Sequence, residues 1–257
     1  MRIFVINSKK VINYLIMLFS ILVIIICATL LTPQIKTVLN IDTNNLPIYS
    51  VQTSEKKAAI TFDCAWGADD IDSILGTLQK ENVKVTFFMV GEWIKKYPGK
   101  VKSISKHGHD VANHSDTHSY LTQLSYDKVK KEIGKTNSDI FNLTGKKCTL
   151  FRAPYGDYND KVVKAAAEEG QFTIQWDVDS LDWKDLDTQA ICARIMSKVN
   201  NGSIILLHND TKYTKDALPK IIKGLKEKGY TLVPVSELIY KENYKIDYQG
   251  RQHKITM

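Results

Sequence analysis

Asn113-His114-Ser115-Asp116-Thr117-His118 follows a short apolar run, and its two imidazoles lie four residues apart. On one turn of helix or in a tight loop, this spacing turns both rings to the same side. Two histidines so placed can share one divalent metal ion. The alternative is a surface loop that happens to hold two histidines. The metal interpretation requires further ligands from other parts of the chain.

From residue 57 onward, short runs rich in β-forming residues alternate with longer helical runs. The predicted strands are 58–62, 83–90, 110–112, 149–152, 172–178, 203–207 and 230–235. The predicted helices are 69–81, 98–106, 125–143, 159–169, 187–200 and 215–228, with N-caps at Ser125 and Asp187. Seven such units indicate an α/β fold with a parallel sheet and favour a barrel.

Polar residues follow the predicted strands directly, at the end where parallel barrels build their active sites. These residues are Asp63, Cys64, His114, His118, Arg152, Asp179, Asp182 and His208. Polar residues scattered over a surface would not track the strand ends. The pattern therefore predicts a catalytic site at that face of the barrel.

Five short motifs occur in order between residues 61 and 208. They are Thr61-Phe62-Asp63, the His114 and His118 pair, Arg152-Ala153-Pro154-Tyr155-Gly156, Asp179-Ser180-Leu181-Asp182-Trp183 and Leu206-Leu207-His208. With these motifs the chain resembles the polysaccharide deacetylase (NodB-homology) family, carbohydrate esterase family four. Trp66-Gly67 and the run 174–179 make it most similar to the sporulation-associated members.

The resemblance implies a distorted (β/α)7–8 barrel that removes acetyl groups from N-acetylated sugars with zinc or a similar divalent ion. The enzyme class would be a hydrolase acting on carbon–nitrogen bonds other than peptide bonds. Such hydrolysis requires an activated water, a stabilised oxyanion and a proton for the departing amine.

The resemblance also assigns a role to each site residue. Asp63 matches the general base, and Arg152 the partner that keeps its carboxylate ionised. His208 matches the general acid, and Asp182 would support its charged imidazole. The remaining assignments are His114 and His118 to the metal, the backbone N–H of Tyr155 to the oxyanion, and Trp183 and Leu207 to the acetyl pocket. Without the resemblance, Asp63 could cap a turn and His208 could be a core histidine.

Cys64 stands where the family usually has a second aspartate as a metal ligand. A thiolate binds zinc at about 2.3 Å, so a Cys-His-His site is chemically reasonable. Alternatively, Cys64 is a small buried residue, and two histidines with water molecules hold the ion. A third alternative is a protein without metal that only binds glycan. The sequence predicts Zn²⁺ as the cofactor and leaves these alternatives open.

Residues 11–31 form an uncharged apolar run that is long enough to cross a bilayer core. Positive charges precede the run, which places residues 1–10 in the cytoplasm and the residues after Leu31 outside. We expect an uncleaved anchor, and a cleaved signal sequence is the alternative. The predicted plan continues with a connector at 32–53, the deacetylase domain at 54–240 and a polar tail at 241–257.

The chain carries a formal net charge of +7 with lysines spread along its helices, which is typical of solvated helix faces. No nucleic-acid motif is evident. Three cysteines beyond residue 31 do not form a disulfide framework. We therefore expect a monomeric, extracytoplasmic polysaccharide N-deacetylase that acts on peptidoglycan or a related glycan, linked to sporulation or wall modification. The alternative is a catalytically silent homologue that binds wall glycan.

Overall fold

The computed structural model describes residues 12, 16–24, 26 and 46–255. The chain divides into two compact units, Met1–Asp42 and Thr43–Met257. Residues 16–24 of the first unit are helical. In the described part of the chain, no helix is both long and apolar enough to span a bilayer. The predicted anchor at 11–31 lies partly outside the described residues, and so does the predicted connector as far as residue 45.

The second unit alternates strands and helices. Its strands are β1 (Ser50–Val51), β2 (Lys57–Cys64), β3 (Thr86–Met89), β4 (Asp110–Asn113), β5 (Leu150–Phe151), β6 (Phe172–Thr173), β7 (Val178–Asp179), β8 (Ser203–His208), β9 (Thr231–Leu232), β10 (Tyr244–Ile246) and β11 (Arg251–Lys254). Its helices are α1 (Ile71–Lys80), α2 (Gly91–Lys96), α3 (Pro98–Lys106), α4 (Tyr126–Thr144), α5 (Asp160–Glu168), α6 (Thr188–Lys198), α7 (Thr214–Glu227) and α8 (Val235–Leu238). Short 3-10 turns at Leu121–Gln123, Pro154–Gly156 and Asp182–Lys184 lie in the loops.

The strands form one sheet in the order β10-β11-β1-β8-β2-β3-β4-β5-β6, with β7 beside β8 and β9 beside β2. The ladders from β8 through β2 to β6 are parallel. A bridge between Ile48 and Ile174 joins the segment before β1 to the segment after β6. The sheet therefore curls towards closure, and the predicted distorted α/β barrel is confirmed.

Side chains alternate between the two faces of the central strands, as the pleat requires. On the face towards the helices, Phe62 and Phe87 stack with ring centroids 5.1 Å apart, and Cys64 packs in the same cluster. On the opposite face, Ala59 and Phe88 belong to a second cluster. This alternation sends consecutive residues of β2 and β8 in opposite directions, which decides which of them reach the site.

The folded unit extends beyond the predicted domain bounds at both ends. Residues 50–51, predicted as connector, form β1. The predicted polar tail contains the hairpin β10–β11, and β11 pairs with β1. Gln252 in this polar segment is buried. Its side-chain amide accepts from the backbone N–H of Tyr240 and donates to the carbonyl of Tyr240. Residues 244–254 of the predicted tail therefore belong to the folded unit.

Candidate active site

The predicted site residues meet at the carboxyl ends of the parallel strands. Asp63 near the end of β2 is in register with His208 at the end of β8. On its other side, Asp63 is in register with Phe88 of β3, which in turn pairs with Ala112 of β4. The loop carrying both predicted metal-binding histidines begins directly after β4. Strand register therefore brings together residues that are far apart in sequence.

Arg152 holds Asp63 in a buried ion pair. Its Nη1 donates to Asp63 Oδ1 over 2.6 Å and to Thr61 Oγ1 over 2.9 Å, while Nη2 donates to the Gln175 carbonyl over 3.0 Å. The guanidinium also lies 4.0 Å from the ring centroid of Phe88. Burial opposes ionisation of Asp63, but the charges of Arg152 and the nearby histidines outweigh it and lower the pKa of Asp63. Asp63 is therefore an ionised carboxylate that can accept a proton.

Asp182 and His208 form a second buried pair. His208 Nδ1 donates to Asp182 Oδ1 over 2.8 Å, and its backbone N–H donates to Oδ2 over 2.7 Å. The Thr214 hydroxyl donates to the same Oδ2 over 2.6 Å. Burial disfavours the charged imidazole, but the hydrogen bond and charge of Asp182 outweigh it and raise the pKa of His208 above 6.5. His208 can therefore carry a proton at Nε2.

His114 and His118 lie side by side, with ring centroids 5.1 Å apart. His114 Nδ1 donates to the Arg152 carbonyl over 2.8 Å, and its Nε2 lies 3.5 Å from Asp63 Oδ2. His118 Nδ1 lies 3.0 Å from the Tyr155 phenol oxygen. Burial lowers the pKa of both imidazoles, that of His118 to about 4. Neutral rings whose Nδ1 atoms are already engaged are in the form that ligates a metal through Nε2.

Glu132 of α4 fixes the loop between these histidines, a role that the sequence did not indicate. Its Oε2 accepts the backbone N–H groups of Asp116 and Thr117 at 3.0 and 2.9 Å, and Oε1 accepts the Thr117 hydroxyl at 2.9 Å. Ser115 and His118 adopt left-handed conformations with φ of 64° and 55°. Such conformations persist only where the surroundings enforce them. Glu132 is one of the groups that do so.

Asp116 supports the same loop from inside. Its carboxylate lies 2.5 Å from the ammonium groups of both Lys95 and Lys135. Gly91 packs so closely against Asp116 that a Cβ at position 91 would clash with Asp116 Oδ1. In the sequence, only the position of Asp116 between the two histidines indicates that it belongs to the site. Its partners Lys95 and Lys135 lie on helices whose charges are typical of solvated faces.

The two histidines fit a divalent ion, but Cys64 does not complete the set. Cys64 is 0% exposed and packs with Phe62 in the cluster under the helices. Burial raises the pKa of its thiol well above the ordinary value, so the metal-binding thiolate is disfavoured. Among the described residues, no three His, Cys, Asp or Glu side chains are grouped to hold an ion. In this structure, Cys64 is not brought to the histidine pair.

The three other predicted site residues differ in their placement. Tyr155 adopts a left-handed conformation in its 3-10 turn, and its ring contacts His118. Trp183 follows Asp182 and is half-exposed. Leu207 is 0% exposed and belongs to the cluster on the helix side. Because neighbouring His208 faces the site, strand alternation turns Leu207 away, and its assignment to the acetyl pocket is not supported.

Comparisons with known proteins show which family the chain belongs to. Residues 50–173 match the family model described as polysaccharide deacetylase. A peptidoglycan-N-acetylglucosamine deacetylase of Bacillus cereus is 35% identical over 196 residues, which cover 74% of this chain and 92% of that protein. The chain belongs to the polysaccharide deacetylase family. Within it, the chain is related to the peptidoglycan deacetylases, and hydrolysis of carbon–nitrogen bonds other than peptide bonds is the activity of the family.

Three further relatives help to place the chain within the family. PdaC of Bacillus subtilis, a peptidoglycan-N-acetylmuramic acid deacetylase, is 36% identical over 189 residues, which cover 74% of this chain. This chain spans only 40% of PdaC and 60% of the B. subtilis protein YlxY. The structure of BA3943 from Bacillus anthracis, described as a pseudoenzyme of the same carbohydrate esterase family, superposes with a TM-score of 0.74 at 36% identity. The superposition covers 80% of this chain and 72% of BA3943.

Proposed function

We propose that this polysaccharide deacetylase hydrolyses the acetamide of N-acetylated amino sugars in peptidoglycan or a related glycan. The observation that carries the proposal is the presence of two buried pairs on adjacent strands, Asp63 with Arg152 and His208 with Asp182. Arg152 lowers the pKa of Asp63 on β2 and Asp182 raises the pKa of His208 on β8, although Asp63 and His208 are in register. Titratable groups whose environments push their pKa values apart are the mark of assigned base and acid roles.

The chemistry follows from these two groups. Asp63 accepts a proton from the attacking water, and Arg152 keeps the carboxylate ionised and oriented. The backbone N–H of Tyr155 would donate to the developing oxyanion. His208 passes its proton to the departing amine, while Asp182 stabilises the imidazolium. A divalent ion bound by His114 and His118 would polarise the water and the carbonyl oxygen.

The finer parts of the proposal rest on the sequence and the relatives. The names of PdaC and of the B. cereus deacetylase specify N-acetylmuramic acid and N-acetylglucosamine respectively, so we propose only the shared N-acetylated amino sugar. Zinc as the ion, an anchored domain outside the cytoplasm, a monomer and a link to sporulation remain proposals from the sequence.

A silent glycan-binding homologue is the second candidate, and the position of Cys64 favours it. This residue lies where the family usually has a ligand, and it packs in the core instead. BA3943, described as a pseudoenzyme, is 36% identical to this chain. A binding protein, however, has no need of an acid, a base and a buried partner for each. We therefore place the deacetylase first.

Acetate release by the full-length protein separates the two candidates. The substrates are peptidoglycan and β-1,4 oligomers of N-acetylglucosamine, with and without added Zn²⁺, and Asp63→Asn is the matched control. We expect the wild type to release acetate and Asp63→Asn to lose about 100-fold or more of the rate while still binding glycan. Glycan binding without acetate release from the wild type would establish the silent homologue.

A further inference from the structure

A row of hydrogen bonds leads from the loop after β8 to the carboxylate beside the proposed acid. Thr211 Oγ1 donates to Thr214 Oγ1 over 2.5 Å, and Thr214 Oγ1 donates to Asp182 Oδ2 over 2.6 Å. The other oxygen of Asp182, Oδ1, accepts the Nδ1–H of His208 over 2.8 Å. Four side chains are therefore joined in one row, and the proposed chemistry uses only Asp182 and His208.

The direction of this row follows from what each group can donate. An ionised carboxylate only accepts hydrogen bonds, and a hydroxyl has one hydrogen to donate. The Thr214 hydrogen is therefore committed to Asp182, and the Thr214 oxygen is left to accept the hydrogen of Thr211. Hydrogen bonds that run in the same direction polarise and strengthen one another. The Thr211 bond therefore strengthens the bond from Thr214 to the carboxylate.

Burial makes the Thr214 hydroxyl hard to replace by solvent. Asp182 is 1% exposed and Thr214 is 0% exposed. A buried acceptor that loses a donor keeps the cost of its lost hydration. In the described part of the chain, the other donors to the Asp182 carboxylate are the ring and the backbone N–H of His208. Thr214 is therefore the donor that holds this carboxylate independently of the acid.

Thr214 also connects a long helix with a single turn. It is the first residue of α7, whose buried side chains belong to the core cluster on the helix side. Asp182 begins a 3-10 turn that is flanked by Leu181 and Asp185 in left-handed conformations, with φ of 56° and 57°. Residues other than glycine keep this conformation only where the surroundings enforce it. The bond from Thr214 is one of the contacts by which the core-packed helix fixes this turn.

We propose that Thr214 is a positioning residue for the deacetylation and that Thr211 supports it. Thr214 keeps the Asp182 carboxylate turned so that Oδ1 faces His208 Nδ1. With one imidazole proton held at Nδ1, the proton that leaves for the departing amine is the one at Nε2. The inference rests on the proposed function for the role of His208, but the row of hydrogen bonds is measurable without turnover.

Other charged groups also face His208 and contribute to its titration. Burial lowers the pKa of His208, and besides its hydrogen-bond partner the carboxylates of Asp63 on β2 and Asp179 on β7 raise it. The imidazoles of His114 and His118 also interact with the charge of His208. Substitution of either hydroxyl residue leaves all of these groups unchanged. A change in the titration of His208 in such variants therefore reports the orientation of its hydrogen-bond partner.

NMR titration of His208 in the full-length protein tests the inference without turnover, with the signal assigned by its loss in His208→Gln. Thr214→Val keeps the shape of the side chain and removes the hydroxyl. Because a carboxylate that turns away leaves the imidazolium without part of its partner, we expect the proton affinity of His208 to fall about fivefold. Thr211→Val should lower it by about twofold. Thr214→Ser keeps the hydroxyl and should match the wild type.

Acetate release gives the second readout. In Thr214→Val we expect kcat to fall about tenfold with KM nearly unchanged, because the acid is misplaced while glycan binding is not affected. The alkaline limb of the pH–rate profile should move to lower pH. Thr173→Val is the matched control, because the Thr173 hydroxyl is buried and lacks a hydrogen-bond partner among the described residues. This control should leave the titration of His208 and the rate as in the wild type.

An unchanged titration of His208 in Thr214→Val, or a raised proton affinity, would overturn the inference. So would an equal change in Thr214→Ser or in Thr173→Val. A wild type that releases no acetate would overturn the proposed function, and the titration would still decide whether Thr214 holds Asp182 in place.

Discussion

The site has two halves at the same strand ends. The acid–base half consists of Asp63, Arg152, Asp182 and His208, and the histidine-pair half consists of His114 and His118. Only in the first half does every functional side chain have its partner. In the acid–base half, Asp63 is 2.6 Å from Arg152, and His208 is 2.8 Å from Asp182. Each charge has an opposite charge within hydrogen-bond distance. In the histidine-pair half, both imidazoles are oriented, but the residue beside the base is Cys64, which packs in the core.

The difference shows which interactions the fold enforces without a ligand. A buried charge left without its partner costs several kcal/mol, so the acid–base pairs are locked by the stability of the fold itself. Neutral metal-binding side chains do not need a charged partner for the fold to be stable. The neutral thiol of Cys64 packs well in the core. A cysteine can therefore replace the usual aspartate ligand at this position without a cost in folding stability.

The largest effect is expected from breaking the acid–base half at Arg152. Arg152→Gln leaves Asp63 buried without its ion-pair partner. We expect a loss of about 3–5 kcal/mol in the free energy of unfolding, together with loss of acetate release. Urea denaturation measures the first quantity. Lys100→Gln removes an exposed ion pair with Asp72 and should cost less than about 1 kcal/mol. Equal costs for both variants would contradict the structural role of the buried pair.

A smaller change is expected from Asp182→Asn, which keeps the shape of the site and removes a charge. His208 donates its proton in the charged form, which prevails below its pKa. Because Asp182 raises that pKa, wild-type activity should persist above pH 6.5 before it declines. In Asp182→Asn, the alkaline limb should move to lower pH and the maximal rate should fall about 100-fold.

The pH–rate profile of both proteins checks this prediction. The acid limb belongs to Asp63, whose lowered pKa keeps it ionised below the ordinary carboxyl range. That limb should therefore stay where it is in Asp182→Asn. An alkaline limb that does not move would show that His208 is not the acid.

A still smaller effect is expected in the histidine-pair half from Glu132→Ala. The variant removes all three hydrogen bonds that Glu132 accepts from the loop. We expect Zn²⁺ affinity, measured by calorimetry, to fall about tenfold. Glu132→Gln keeps an acceptor oxygen and should lose less. Glu168→Ala, which removes an exposed ion pair with Lys130, is the control and should leave Zn²⁺ affinity unchanged. A matching loss in the control would rule out a specific role for Glu132.

The sequence predicted the site where its signals were local or periodic. Strand ends carry Asp63, His114 and His208, and parallel register brings them together, as expected. The same periodicity could have corrected one assignment. Leu207 and His208 are consecutive in a strand and cannot both face the site. Cys64 follows the same rule, since it packs on the helix side while Asp63 faces Arg152.

Other features had no sequence signal of that kind. Glu132 reaches the histidine loop from the middle of α4, and a charge on a helix is usually a solvated one. The hairpin β10–β11 has a polar sequence, and its buried Gln252 is satisfied by hydrogen bonds to the backbone of Tyr240. Both depend on partners 12 or more residues away, which no local pattern reveals.

Metal content and acetate release of the full-length wild type and Cys64→Ser test the central claim most directly. The claim is that the acid–base half is functional and that Cys64 is a core residue. It predicts that wild type releases acetate with Zn²⁺ and that Cys64→Ser keeps the Zn²⁺ affinity and the rate within about twofold, because no ligand is lost. Stoichiometric zinc in the wild type that is lost in Cys64→Ser would make Cys64 a ligand and contradict the account.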